Sequence, residues 1–211
     1  MSTDATGLRE LKKQETRQLI SDRATRLFLE RGFENTTIAD IATAARVAKK
    51  TVTNYFARKE DLAFDQHERF TQGLARTVAE RASGESALAA LRRSFLAAVE
   101  RHDPVIGFSG RPFARMIAES PTLTARLREL HDLREAALAE VLAAEAAAEP
   151  DDITPHAVAA QLAAADRVLF GEVVRRTRNG EPAEQIEHAV RTSTHRVFDL
   201  LEPVVGDYAV R

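Results

Sequence analysis

The 211-residue sequence has no cysteine and no tryptophan, only nine glycines and seven prolines, and an aromatic content of 6%. Each shortage closes off a class of function. Without cysteine there can be no disulfide, no thiolate metal site and no cysteine nucleophile, and a reducing, cytoplasmic setting is expected. No run approaches the roughly 18 uncharged apolar residues of a membrane span, and no apolar segment near the start precedes a cleavage site, so no membrane partner is expected. The glycines are too scattered to cradle a nucleotide. The six histidines stand in no nucleophile elbow, phosphate loop or metal-ligand spacing. No catalytic residue, metal or cofactor is expected, and an enzyme is not the reading these residues favour.

What is present is an ordered composition, 44% hydrophobic and 29% charged, with an uneven charge distribution. Residues 1–64 carry twelve Lys and Arg against nine Asp and Glu, a net of +3. The remainder carries eighteen against twenty-three, a net of −5. The densest positive stretch is residues 40–59, where Arg46, Lys49, Lys50, Arg58 and Lys59 face Asp40 alone. A charge run is ordinarily just a solvated face, but a basic head on an acidic body favours phosphate contact by the head.

That stretch lies in TIADIATAARVAKKTVTNYFARK, residues 37–59. Thr37 is a good N-cap with Asp40 three residues on, and Ile38, Ile41 and Ala42 recur at helical spacing, which predicts a short helix over 38–44. Residues 44–47 leave room only for a tight connection. Ala48 to Tyr55 forms a second short helix, with Val52 and Phe56 inward and Lys49, Lys50, Thr51, Thr53, Asn54 and Tyr55 as its polar surface. Two surface helices of a larger bundle would give the same periodicity. The amines, hydroxyls and amide on the second helix instead suit a DNA major groove, which makes this a helix-turn-helix. Lys49, Lys50, Thr51 and Asn54 are the expected base-reading face, since lysine donates to guanine and asparagine pairs with adenine.

No strand pattern occurs at any length, and the rest of the chain reads as all-α, with nine or so helices. A first helix runs from Glu15 to Arg31 behind a polar, frayed start, with Leu19, Ile20, Ala24, Leu27 and Phe28 along one stripe and Gly32 ending it. One long helix is expected over 60–81. Ser86 opens another to about His102, where Asp103-Pro104 breaks it. Gly107, Gly110 and Pro112 predict a bent segment to residue 120. Ser120-Pro121 and Thr154-Pro155 each read as a cap followed by a first-turn proline, opening helices to about 148 and 178. A last helix runs to about Glu202.

The segments LFLERGFENTT, IADIATAARV and TVTNYFARKEDL together resemble the DNA-binding domain of the TetR/AcrR family of transcriptional regulators. The resemblance implies a three-helix head, residues 1–58, on a helical ligand-binding and dimerisation body, residues 59–211. It also implies a homodimer on a palindromic, double-stranded operator and release by a small-molecule effector. A helical DNA-binding architectural protein without an effector is the alternative, and repressor is the expected role. Three positions depart from the family pattern: Arg46 stands where glycine is usual, Ala48 where a capping serine is frequent, and Thr53 where tyrosine is frequent. By family parallel Thr37, Tyr55 and Lys59 are expected phosphate contacts, joined by Lys12, Lys13 and Arg17 from the first helix.

In the body, the bent segment is the expected place for an apolar effector, because its glycines and prolines stop helices packing flush. Phe95, Val99, Phe108, Phe113, Met116, Ile117 and Leu130 are the candidate apolar lining. His102, Arg111, Arg115, His131 and Arg134 are the candidate polar anchors, and the ordinary alternative for each is core packing or solvated surface. The stretch SPTLTARLRELHD resembles the mycofactocin-type, acyl-thioester-responsive subgroup. Residues 160–175 and 184–201 carry many apolar and alanine positions, and the family pairs its last long helices across a two-fold axis. Leu162, Leu169, Phe170, Val173, Ile186, Val190, Val197, Phe198 and Leu201 are the expected dimer interface.

Overall fold

Ile20, Ala24, Leu27 and Phe28 recur at helical spacing, and all four are buried along one stripe of helix α1 (Thr3–Arg31) in the computed structural model, which describes residues 3–210. The helix starts earlier than its apolar stripe. The expected fray over 1–11 is helical from Thr3, and residues 1 and 2 lie outside the described residues. Leu19, assigned to the stripe by spacing, is 41% exposed. At the far end Gly32 adopts a left-handed conformation, its N–H closes onto the Phe28 carbonyl, and the Phe33 ring folds back to 4.9 Å from that of Phe28.

Helices α2 (Ile38–Ala45), α3 (Lys49–Tyr55) and α4 (Glu60–Ala63) follow, with α2 and α4 packed on α1 and α3 on α2. Ile41, Val52, Phe56 and Leu62 are their buried anchors. The single long helix expected over 60–81 is instead broken: α4 ends at Ala63, and α5 (His67–Ala79) begins after a short irregular link. Nothing in Phe64-Asp65-Gln66 is a helix breaker. Residue 65 is held by tertiary bonds instead, its carbonyl accepting from Arg17 Nη2 at 3.0 Å and its carboxylate from Ser21 Oγ at 2.7 Å.

Described among the later elements are α6 (Ala87–Glu100), a 3₁₀ turn (Pro104–Ile106), α7 (Arg111–Glu119), α8 (Pro121–Glu145), α9 (Thr154–Asn179) and α10 (Ala183–Val205). Ser86 and Ser120 cap α6 and α8 as their sequences predict, accepting from the amides of Ala89 and Leu123. Thr154 does not cap α9; Ile153 occupies that position without a side-chain bond, while the Thr154 amide donates to Asp152. All of these elements are helical, and there is no strand among the described residues.

The chain packs as two units. The first extends to Asp65 and also takes in Met116–Thr124, the corner between α7 and α8; the second holds Gln66–Arg115 and the chain from Ala125 onward. The second unit's core joins Leu88, Leu91 and Phe95 of α6, Leu138 and Leu142 of α8, Leu162, Leu169 and Val173 of α9, and Ile186, Val190 and Phe198 of α10. At Gly107, where φ is +112°, an added Cβ would lie 2.9 Å from Val174 Cγ2, so only glycine lets the turn lie this close to α9.

This core corrects the expected dimer interface. Leu162, Leu169, Val173, Ile186, Val190 and Phe198 are buried within the chain itself, and Val197 and Leu201 are half-buried against the same core. Phe170 packs edge-on against Phe70 and His131. Alternating helical spacing marks apolar faces without saying which face a helix turns inward. The large apolar side chains that α9 and α10 leave in solvent are Val168 (62% exposed), Leu200 (73%) and Val204 (70%).

Candidate nucleic-acid interface

The geometry of α2 and α3 follows from their caps. Thr37 Oγ1 accepts from the Asp40 amide at 3.2 Å while the Asp40 carboxylate accepts from the Thr37 amide at 2.9 Å, a reciprocal capping box that starts α2 in register. Hydrogen bonds from Thr37 hold the Asp40 carboxyl below its ordinary range, so the box is made by the ionised form. The turn that follows is closed by Arg46 at φ 56°, ψ 42°, whose N–H reaches the carbonyls of Ala42 and Thr43. A left-handed residue is required there, and arginine adopts it at a cost of about 1 kcal/mol relative to glycine. Ala48 precedes α3 in an extended conformation with no side-chain cap, as its missing hydroxyl dictates.

Helix α3 buries Val52 and, just beyond it, Phe56. Lys49, Lys50, Thr53 and Asn54 are exposed, and Thr51 and Tyr55 are half-buried. Thr53 Oγ1 donates to the Lys50 carbonyl. Among the described residues neither Lys49 nor Lys50 is drawn into an ion pair, so two ammonium groups and one amide stand together on the outward face. Arg46 adds an exposed guanidinium at the start of this surface. The sequence pattern counts Arg46 among the charges of the basic stretch but does not name it as a DNA contact.

Three expected phosphate contacts make bonds inside the unit. Lys59 Nζ donates to the carbonyls of Phe33 (2.8 Å) and Thr36 (3.0 Å) and lies 4.1 Å from the centre of the Phe33 ring, so it fastens the turn after α1. Arg17 donates to the carbonyls of Tyr55 and Asp65 and lies over the Phe56 ring, so it clamps α1 to the end of α3 and the α4 link. Thr37 gives its hydroxyl proton and its amide proton to Asp40. The Thr37 donors are engaged inside the unit, while Lys59 and Arg17 each spend two of their donors there. Lys12 and Lys13 are exposed on α1, Lys13 beside Glu10 at 3.6 Å. One further contact was not foreseen: Ser120 Oγ donates to Glu34 Oε1 at 2.6 Å, tying the α7–α8 corner to the turn after α1 within this unit.

Two family descriptions match the chain: residues 20–65 fit the bacterial regulatory proteins of the tetR family, and residues 85–203 fit the MftR C-terminal domain. The HTH-type transcriptional regulator TcmR of Streptomyces glaucescens is 30% identical over 172 residues, 79% of this chain and 76% of TcmR. The chain belongs to the TetR family of transcriptional regulators. MftR of Mycobacterium tuberculosis, named as a mycofactocin biosynthesis transcriptional regulator, is 29% identical over 143 residues, covering 66% of this chain and 70% of MftR. The structure of Thermus thermophilus FadR, a TetR-family transcriptional repressor in complex with lauroyl-CoA, superposes with a TM-score of 0.51 at 21% identity, covering 88% of this chain and 92% of FadR. These relatives are DNA-binding regulators rather than enzymes. Among the described residues no helix is long and apolar enough to cross a membrane.

The candidate effector residues of this TetR-family chain do not form one group. Met116 and Ile117 belong to the first unit and the others to the second. Phe95, Val99 and Leu130 are fully packed, with Phe108 against the same core. His102 stacks on Phe108 and its Nε2 lies 2.9 Å from Glu187 Oε2, an occupied position rather than an open anchor. Arg111 is exposed beside Gly180, Arg115 is exposed and Phe113 is half-buried. His131 and Arg134 are different. On successive turns of α8, both are buried among Phe70 of α5 and Asp166 and Phe170 of α9. Burial first, and then the charges of Arg134 and Arg167, push the His131 imidazole down to about 4, so it is neutral at pH 7.

Proposed function

We propose that the protein is a repressor that binds a palindromic operator as a homodimer in the cytoplasm and is released by a small, largely apolar effector held in its second unit. The observation that carries the DNA-binding half of this reading is the outward face of α3. Lys49, Lys50 and Asn54 stand exposed together on a helix whose inward side is fixed by Val52 and Phe56. A recognition helix presented in this way can place amines on guanine O6 and N7 and an amide on adenine, while exposed Lys12, Lys13 and Arg46 supply phosphate charge.

Dimerisation is supported by the exposed Val168 on α9 and by Leu200 and Val204, exposed one turn apart on the same face of α10. Two copies joined there by a two-fold axis read half-sites about 34 Å apart, or a multiple of that distance. The effector reading is supported by the match to the MftR C-terminal domain and by the lauroyl-CoA bound to the FadR structure of the same fold.

Selection of duplexes from a random pool by the full-length protein tests the reading. The expected product is a dyad-symmetric consensus, and Lys50→Ala relaxes discrimination at one base pair by about 1–3 kcal/mol. Enrichment without any consensus would replace the repressor with an architectural DNA-binding protein.

A further inference from the structure

Arg134 is only 6% exposed, yet its donors are incompletely used. Nη2 donates to Asp166 Oδ1 at 3.1 Å, whereas the buried Nε and Nη1 have no hydrogen-bond acceptor. A guanidinium carries five N–H bonds, and leaving two of its nitrogens buried without acceptors is costly unless something else supplies an oxygen. The stacking of its Cζ 4.4 Å above the Phe70 ring holds the plane of the group but satisfies no N–H.

The surroundings define what that oxygen belongs to. The rings of Phe70, His131 and Phe170 meet edge to face, with centroids 5.0 Å, 5.2 Å and 5.8 Å apart. They make an aromatic wall beside the guanidinium. Of the three, Phe170 alone is half-buried, so it is the ring that must turn to admit a molecule. Arg134 meets Asp166 through one nitrogen alone, burial raises the Asp166 carboxyl above its ordinary range, and His131 is neutral at pH 7. A buried guanidinium so incompletely matched favours an oxygen that carries negative charge.

We propose that the effector is a monoanionic, mostly apolar molecule whose carboxylate or phenolate oxygen accepts from Nη1 of Arg134, with its apolar part against Phe70, His131 and Phe170. The site rests on the effector reading above and deepens it: the bent segment after α6 is replaced by the α5–α8–α9 junction, and an apolar effector becomes an acidic one. The Asp166 pair then has a defined part, holding the guanidinium through Nη2 while leaving Nη1 for the ligand.

Calorimetry on the full-length protein with two isosteric probes tests the site, 2-naphthoate as the anion and 2-naphthamide as its neutral counterpart. The expected result is a preference for the anion of about tenfold or more. Arg134→Met keeps a chain over Phe70 and abolishes the preference. Since it also strands Asp166, the double variant Arg134→Met/Asp166→Leu removes both charges and must lose the preference as well. Asp166→Asn leaves the guanidinium in place, frees it of its carboxylate and strengthens anion binding several-fold. Equal binding of the two probes, binding of neither, or a preference that survives in the double variant overturns the proposal. Operator binding is measured on the same samples. Charge-selective binding without any effect on the operator refutes the effector reading and leaves the anion site standing. Operator binding by a protein with no charge preference does the reverse.

Discussion

Lys59 separates two readings of the same residue, and its replacement by methionine distinguishes them. Methionine keeps an unbranched chain against the Phe33 ring but removes the two N–H donors now 2.8 Å and 3.0 Å from the carbonyls of Phe33 and Thr36. Hydrogen bonds from a charged donor contribute about 1.5–3 kcal/mol each. Lys59 is half-buried, so solvent screening brings each to about 1 kcal/mol. Its position over the ring adds about 0.5–1 kcal/mol. The expected loss is therefore about 2–3 kcal/mol, concentrated in the first unit. Amide hydrogen exchange across α2 and α3 in the full-length protein should accelerate accordingly. The slope of log affinity against log salt should stay unchanged, since no phosphate contact is removed. If instead exchange is unaltered and the slope falls by about 0.9, the amount for one phosphate, Lys59 is a backbone contact and the turn-fastening assignment is wrong.

Two further outcomes follow from the second unit. Val168→Glu combined with Leu200→Glu should yield a folded monomer in sedimentation that no longer binds operator, because both side chains are exposed in the single chain; Phe198→Ala should instead destabilise the chain itself, losing about 3–5 kcal/mol from its core. His131 has a folded-state value of about 4 against an ordinary 6.5, so the unfolded chain binds more protons between those limits and stability falls as pH drops through them. Between pH 7 and pH 5 the loss is about 2 kcal/mol. Asp166, raised by burial, changes stability in the opposite sense, and the two arginines stay charged. Urea unfolding of His131→Phe, which keeps the ring but removes the titration, should lack the His131 share of that fall.

The fold was legible at most places where a local signal decided it, Thr154 before Pro155 being the exception. Thr37 with Asp40, Ser86, and Ser120 before Pro121 are caps whose geometry depends on residues three positions apart, and each makes the expected bond. Gly32 and Gly107 likewise stand where positive φ is needed. The break between α4 and α5 was not legible, because Phe64-Asp65-Gln66 has no local reason to leave the helix. The cause lies over forty residues back, in Arg17 and Ser21, which bind residue 65. Lys59 likewise lies 26 and 23 residues from the carbonyls it holds. A sequence pattern tells that a lysine is out of place at a helix N-terminus, but not whether a phosphate or a turn of the same chain compensates it.

The candidate sites divide along that line. The outward residues of α3 could be named in advance because a seven-residue helix with two inward anchors has one remaining face, and Lys49, Lys50 and Asn54 are on it. On α9 and α10 the apolar positions outnumber those of one face, so periodicity assigned the core residues Leu169 and Phe198 to a partner and passed over Val168 and Leu200. Among the polar candidates of the second unit, His102, His131 and Arg134 were equivalent in sequence: basic side chains near aromatics. What separates them is the satisfaction of their donors. His102 meets Glu187 and has no buried ring nitrogen left unpaired, whereas Arg134 meets Asp166 and still has Nε and Nη1 without an acceptor. Composition cannot express that difference, since Asp166 lies 32 residues from Arg134 on another helix, and whether one carboxylate satisfies a guanidinium depends on which edge it approaches. It approaches at Nη2, which leaves Nε and Nη1 without an acceptor on opposite sides of the group, and the Nη1 side is where a ligand oxygen completes it.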